Sequence, residues 1–293
     1  MDLHRLHIVT VATESKYYFP YLVASCNRNG KELDVVGYGE KWEGFNWRFL
    51  KIAEYLKTKN PHDIVCVVDG YDVLCTRPLN EMVHTFLDIK KRTHCKMVVS
   101  DEHHCFIYGW MANEKFGKCN GHHLSAGLYI AEVKDMMEII QNIYTMNPQN
   151  DADDQILMMK YCNLKHGDIY VDTDNELFLS YACSLSELEK KITYVRYEGK
   201  EIISYGNHQP FFLHAPIFGY MDNIIVRLGY NKECNIRKQL FRHVLQEKVF
   251  LYFPHLKTVV VVIFIVMVIL LLLFMLDYIL YFSKFYYQKQ KIR

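Results

Sequence analysis

Apolar and polar positions alternate along this chain between two periods. Short β-branched runs at Leu6–Thr13, Leu33–Tyr38, Ile64–Val68 and Met97–Ser100 read as strands. Between them lie stretches of helical period: Tyr17–Asn27, ended by Asn29-Gly30, and Trp47–Lys57, with Phe49, Leu50, Ala53 and Leu56 on one face and Asn60-Pro61 closing it. A third helix is expected from an Asn80 cap to about Lys91. Glu102–His123 reads as a loop rich in His, Cys and Gly. A strand at Leu128–Val133 and helices over Met136–Tyr144 and Asp153–Tyr161 follow. Short strands are expected at Ile169–Val171, Leu177–Leu179 and Phe211–Leu213, then a helix or turn over Met221–Arg227. Strand–helix alternation of this kind predicts an α/β fold with a parallel, doubly wound sheet.

The pattern changes near the C-terminus. Thr258–Leu276 is 19 positions without a charge, close to the ~20 residues a bilayer-spanning helix needs. Tyr278–Phe282 resumes after Asp277 with aromatics suited to a membrane interface. This predicts one C-terminal transmembrane helix. The expected division is an α/β domain over 1–232, a juxtamembrane linker over 233–257, the span over 258–282 and a basic tail over 283–293. Lys284, Lys289, Lys291 and Arg293 follow the span and favour a cytosolic tail. The N-terminus, MDLHRLHIVTVAT, reads as a strand and not as a cleavable signal. Those two signals oppose each other and leave the orientation open; the chain is expected to be a single-pass protein of the endoplasmic reticulum or another endomembrane.

Formal charge is +1, which gives no electrostatic case for nucleic acid as a partner. Nine cysteines without a C-x-x-C pair read as scattered core thiols, not a disulfide framework.

The candidate chemistry gathers at strand ends. The apolar run Ile64–Val68 stops at Asp69, and Asp72 follows three residues later. Paired carboxylates at such an edge suit a hard divalent cation, which can in turn hold phosphates. Val11-Ala12-Thr13, Ser125-Ala126-Gly127 and His214 occupy the same kind of position. Asp151, Asp153 and Asp154 open a helix, more acids than capping requires.

In this order the motifs resemble the N-terminal glycosyltransferase domain of the procollagen lysyl hydroxylases, from about Leu6 to Tyr230. IVTVATES is similar to the family's opening strand, and Gly37-Tyr38-Gly39-Glu40-Lys41-Trp42 to its G-x-G-E-x-W run. Asp69-Gly70-Tyr71-Asp72 resembles D-S-Y-D, and Leu124–Ile130 resembles N-S-G-G-F-I-G. Asp153-Asp154-Gln155 matches D-D-Q, and His214-Ala215-Pro216 stands where the family has H-G-N-G-P. The resemblance implies a GT-A-like, mixed but mainly parallel sheet flanked by helices. It implies a metal-dependent hexosyltransferase using UDP-glucose or UDP-galactose, with hydroxylysine or galactosyl-hydroxylysine of collagen-like protein as acceptor. It implies Mn²⁺ on Asp69, Asp72 and His214, and Asp153 and Asp154 as catalytic residues. It also implies donor binding by Val11, Ala12, Thr13, Asp69, Gly70, Tyr71, Ser125, Ala126 and Gly127. Imidazole and carboxylate together are an acceptable Mn²⁺ set.

The chain departs from the family at Asn46, where a Lys is usual, although Arg48 keeps the following Arg. It departs again at Ala215-Pro216, where a proline removes a backbone donor. Two alternatives therefore stay open: transfer to another glycan, lipid or protein, and an inactive membrane adaptor that keeps the fold. A rival site, zinc on His103, His104, Cys105, Cys119, His122 and His123, fits no standard finger spacing.

Overall fold

The computed structural model describes residues 3–104, 114–182, 185–216, 221–231, 259, 262–272 and 275. The chain divides into two compact units, Met1–Leu240 and Phe241–Arg293.

In the first unit, β1 (Leu6–Val11), α1 (Phe19–Arg28), β2 (Leu33–Val36), α2 (Phe45–Leu56) and β3 (Ile64–Val68) follow the expected alternation. Next come β4 (Val73–Cys75), α3 (Met82–Thr93), β5 (Met97–His104), β6 (Leu124–Glu132), α4 (Val133–Met146) and α5 (Asp154–Leu164). The unit continues through β7 (Ile169–Asp172), β8 (Phe178–Ala182), α6 (Leu185–Lys191), β9 (Ile192–Tyr197), β10 (Lys200–Tyr205), β11 (Phe212–His214) and α7 (Asp222–Arg227).

Period-2 burial builds three layers. Val65 and Val67 of β3 face the side covered by α2, α4 and α5, where Trp47, Phe49, Ile52, Met136, Ile140 and Met158 pack. Ile64, Cys66 and Val68 face the other side, against Leu22 and Cys26 of α1 and Met82, Phe86 and Ile89 of α3. A strand buried on both faces is what a continuous apolar run encodes.

The main sheet runs β2-β1-β3-β6-β5-β8-β11-β4, with β7 beside β5. It is mixed and mainly parallel, as the resemblance implies, where strand–helix alternation alone predicts a parallel sheet. β6 is antiparallel to β3 and β5, and β4 is antiparallel to β11. Those reversals build the site. An antiparallel β6 brings its early residues beside the end of β3, and an antiparallel β4 carries the chain from Asp72 back alongside His214.

Other expectations need correction. Asn80 does not cap α3; a 3₁₀ turn over Leu79–Glu81 leads into it without a side-chain cap. The expected loop from Glu102 begins as strand, because β5 runs to His104. Ser125, Ala126 and Gly127 lie inside β6 and not after a strand. β9 and β10 form an unforeseen hairpin. Its turn is Glu198-Gly199, both at positive φ (47° and 78°), as a two-residue turn between twisted strands requires.

Cys119 and Cys162 form a disulfide, against the reading of scattered thiols. It ties the segment before β6 to α5, and Asn163 adds a hydrogen bond from its amide to the Lys118 carbonyl at 3.0 Å. The bridge closes a sequence separation of 43, so replacing both cysteines by serine is expected to lower stability by about 2–4 kcal/mol in denaturant unfolding.

In the second unit, residues 262–272 are helical and every one is exposed. Among the described residues no helix is long and apolar enough to cross a membrane. The remainder of the expected span over 258–282, apart from Val259 and Met275, lies outside the described residues, as does the basic tail.

Candidate active site

Asp69 is the first residue after β3, and its backbone N–H donates to the Gly127 carbonyl of β6 at 2.8 Å. Asp72 closes the short turn into β4, and its carbonyl accepts from Ala215 N–H at 2.9 Å. His214 ends β11, in register with Val73 on one side and Ser180 on the other. Three distant segments therefore meet: one ligand atom from each of Asp69, Asp72 and His214 lies within 4.8 Å of the others. Among the described residues no other group of three such side chains converges this way.

The imidazole is prepared for a cation. His214 is buried, and its Nδ1 lies 3.0 Å from Ser180 Oγ and 3.4 Å from Ser125 Oγ. Hydroxyls that accept from Nδ1–H leave Nε2 as the lone-pair nitrogen. Nε2 is buried without a hydrogen-bond partner, 3.4 Å from Asp72 Oδ1 and 3.6 Å from Asp69 Oδ2. One imidazole nitrogen and two carboxylates converging this closely are a donor set for a divalent ion, so the residues fit such an ion. Burial pulls the His214 pKa down, but Asp72 and Asp69 outweigh it and hold it above the ordinary value.

Gly127 makes room for this arrangement. A Cβ there would lie 2.5 Å from His214 Cε1 and 2.7 Å from Asp69 Oδ2.

Arg48, marked in the sequence only as keeping the family's Arg, joins two of the site's acids. It sits in the first turn of α2. One guanidinium nitrogen pairs with Asp69 Oδ1, the other with Asp154 Oδ2 and, at 3.2 Å, with the Ala126 carbonyl. Its placement depends on the loop before α5. The Asn46 side chain donates to the carbonyls of Asn147 (2.7 Å) and Gln149 (3.0 Å), and Asn46 N–H donates to Asn150 (3.0 Å). Asn46, where the family has Lys, thus docks α2 onto that loop. Burial lowers the Arg48 pKa, but Asp154 and Asp69 more than reverse this. Burial pushes Asp154 up to about 6 despite the guanidinium beside it.

The two helix-opening acids differ. Asp154 is buried in the Arg48 bridge. Asp153 is the N-cap of α5, its Oδ1 accepting from Ile156 N–H at 3.2 Å, and its Oδ2 lies 3.0 Å from Lys115 Nζ. The VAT segment lies beside the turn after β3: Thr13 N–H donates to the Tyr71 hydroxyl at 3.0 Å, and a Cβ on Gly70 would lie 3.2 Å from that of Ala12. Tyr71 also packs near Tyr17 and Phe19, with ring centroids 6.1 and 6.5 Å away.

Among the described residues the rival zinc set does not assemble. Cys119 is in the disulfide, His103 Nε2 pairs with Asn175 Oδ1 at 3.0 Å, and Cys105 lies outside the described residues.

A family model for the PLOD GT domain, a glycosyltransferase domain, matches residues 2–217. The chain belongs to that family. This PLOD-type domain is similar to procollagen-lysine,2-oxoglutarate 5-dioxygenase of Drosophila melanogaster, 27% identical over 169 residues, covering 53% of this chain. The match spans only 22% of that relative's length. Among solved structures, the galactosyltransferase LgtC in complex with donor and acceptor sugar analogs is 12% identical, with a TM-score of 0.41 over 81% of this chain and 95% of that one. The 2-C-methyl-D-erythritol 4-phosphate cytidylyltransferase (IspD) of Francisella tularensis is 11% identical, with a TM-score of 0.34 over 56% of this chain and 88% of that one.

Proposed function

We propose that this glycosyltransferase moves a hexose from UDP-glucose or UDP-galactose to hydroxylysine or galactosyl-hydroxylysine of a collagen-like protein. The observation that carries the reading is the convergence of the buried His214 Nε2 on the Asp69 and Asp72 carboxylates, 3.6 and 3.4 Å away. Asp69, Asp72 and His214 would hold Mn²⁺, which when bound neutralises charge on the departing diphosphate. Val11, Ala12, Thr13 and Tyr71 form the wall that receives the nucleoside, and Gly70 keeps the approach open. Ser125 orients the metal-binding imidazole, while Ala126 and Gly127 line the strand beside it. Asp154 faces the transferred sugar from α5, and Asp153 holds the start of that helix beside it.

The test is hydrolysis of UDP-glucose and UDP-galactose by the full chain in detergent, with and without Mn²⁺. Metal-dependent release of UDP from one of them is expected. No release with any divalent ion overturns the reading.

The domain boundaries at 232, 257 and 282 belong to the same proposal, with 258–282 as a single-pass anchor in an endomembrane. Its support is the unbroken exposed apolar surface from Val262 to Leu272, since large apolar patches mark contact with membrane or partner. A catalytic domain on the lumenal side agrees with the Cys119–Cys162 bridge, which suits an oxidising compartment. The full chain is expected to stay with membranes after alkaline carbonate extraction, and removal of residues 258–293 to release it. Full-length protein in the aqueous fraction would end the anchor proposal.

A further inference from the structure

The Arg48 bridge has a consequence for metal choice. Asp69 offers two oxygens, and they do different work. Oδ1 is committed to the Arg48 guanidinium, whereas Oδ2 faces His214 Nε2 at 3.6 Å. The arginine cannot easily turn away, because its other nitrogen is anchored on buried Asp154 and on the Ala126 carbonyl at 3.2 Å. The fork is planar and rigid, so both anchors fix one orientation of the Asp69 carboxylate.

A carboxylate with one oxygen already taken can give a cation only the other. Ca²⁺ fills its six to eight positions with the help of carboxylates that bind through both oxygens, whereas Mg²⁺ demands near-octahedral geometry. Mn²⁺ accepts octahedral oxygen sets and also tolerates imidazole.

We propose that Arg48 is a specificity-determining positioning residue: by holding Asp69 to a single free oxygen, it makes the Asp69–Asp72–His214 site select Mn²⁺ over Ca²⁺. This rests on the metal reading of that site given above. Arg48 touches neither metal nor donor in this role and acts through Asp69.

The experiment is titration of the full chain in detergent with Mn²⁺ and, separately, with Ca²⁺, by calorimetry, for wild type, Arg48→Gln and Arg48→Lys. Folding of each variant is checked by thermal unfolding. Wild type is expected to bind Mn²⁺ at least tenfold more tightly than Ca²⁺. In Arg48→Gln both Asp69 oxygens become available, and the ratio of the two affinities is expected to fall at least tenfold. Arg48→Lys keeps the charge but loses the fork, so the ratio is expected to fall there too; it carries the test alone if the glutamine variant does not fold. A merely structural arginine would weaken both ions alike, and a ratio within threefold of wild type in both variants overturns the proposal while leaving the metal site standing. A wild-type ratio restored by Arg48→Lys assigns the effect to charge and also overturns it. Wild type that binds neither ion removes the metal site itself, and this inference with it.

Discussion

Asp69→Asn and Asp72→Asn are each expected to lower metal-dependent turnover of the UDP-sugar at least a hundredfold. Asparagine keeps the shape of the side chain and, at position 69, an oxygen for Arg48. What it removes is a negative charge from a site whose third member, His214, is buried and must be neutral to bind a cation. Losing one of two formal charges weakens the ion's hold and leaves leaving-group charge uncompensated. A hundredfold drop corresponds to about 2.7 kcal/mol in the transition state. The measurement is initial rate at saturating metal, with thermal unfolding confirming that each variant is folded. Turnover above a tenth of wild type in both would remove these carboxylates from the metal site.

The same site makes metal binding depend on pH, with a definite sign. A cation needs the neutral imidazole, and His214 holds its proton more tightly than an ordinary histidine because Asp72 and Asp69 face it. Affinity for Mn²⁺ should therefore fall as pH drops, with a midpoint in the metal-free protein above the ordinary ~6.5. Without metal the sign of stability reverses. A raised histidine pKa contributes stability below the unfolded value and loses it as pH rises through the folded one. Metal-free protein should thus be favoured on the acidic side of this titration and metal-bound protein on the basic side. Paired titrations of Mn²⁺ affinity and unfolding midpoint between pH 6 and 8 check both signs, and His214→Gln should flatten both.

The polar and apolar pattern reveals much of this fold, for a physical reason. β3 is legible to the residue because both its faces are buried, so Ile64–Val68 is apolar without a break. The candidate ligands Asp69, Asp72 and His214 stand out because a charged or polar residue ending such a strand has little structural need to be there. β4 is invisible for the opposite reason: three residues, Val73–Cys75, carry no period. The β9–β10 hairpin is hidden for a different reason: Glu198-Gly199 is not one of the usual hairpin dipeptides, and ITYVRY and KEIISY do not alternate apolar with polar. Arg48 was harder. In sequence it lies on a helix remote from any strand end, and nothing local says that a guanidinium there reaches Asp69 and Asp154. Its role exists only once Asn46 and Gly44 seat α2 against the loop at Asn150. The Cys119–Cys162 pairing was equally closed to sequence, since connectivity among nine cysteines does not follow from spacing.

Gly127→Ala is expected to abolish metal binding by adding one methyl group. Gly127 does not lie at positive φ, so alanine meets no backbone strain there and the effect is one of volume alone. The new Cβ would stand 2.5 Å from His214 Cε1, 2.7 Å from Asp69 Oδ2 and 3.0 Å from His214 Nδ1. Separations under 3.0 Å must be relieved by movement, and the choices are poor. His214 is buried and held through Nδ1 by Ser180 and Ser125. Asp69 is held through Oδ1 by Arg48 and through its N–H by the Gly127 carbonyl itself. Whichever side chain yields, the ligand atoms no longer converge. Overpacking of this kind costs about 1–3 kcal/mol in stability, an amount a folded domain survives. The variant should therefore unfold at a somewhat lower temperature yet bind Mn²⁺ at least a hundredfold more weakly, with donor turnover lost in proportion. Calorimetric titration of the folded variant decides it: Mn²⁺ affinity within threefold of wild type would mean that the pocket beside Gly127 is not where the cation sits.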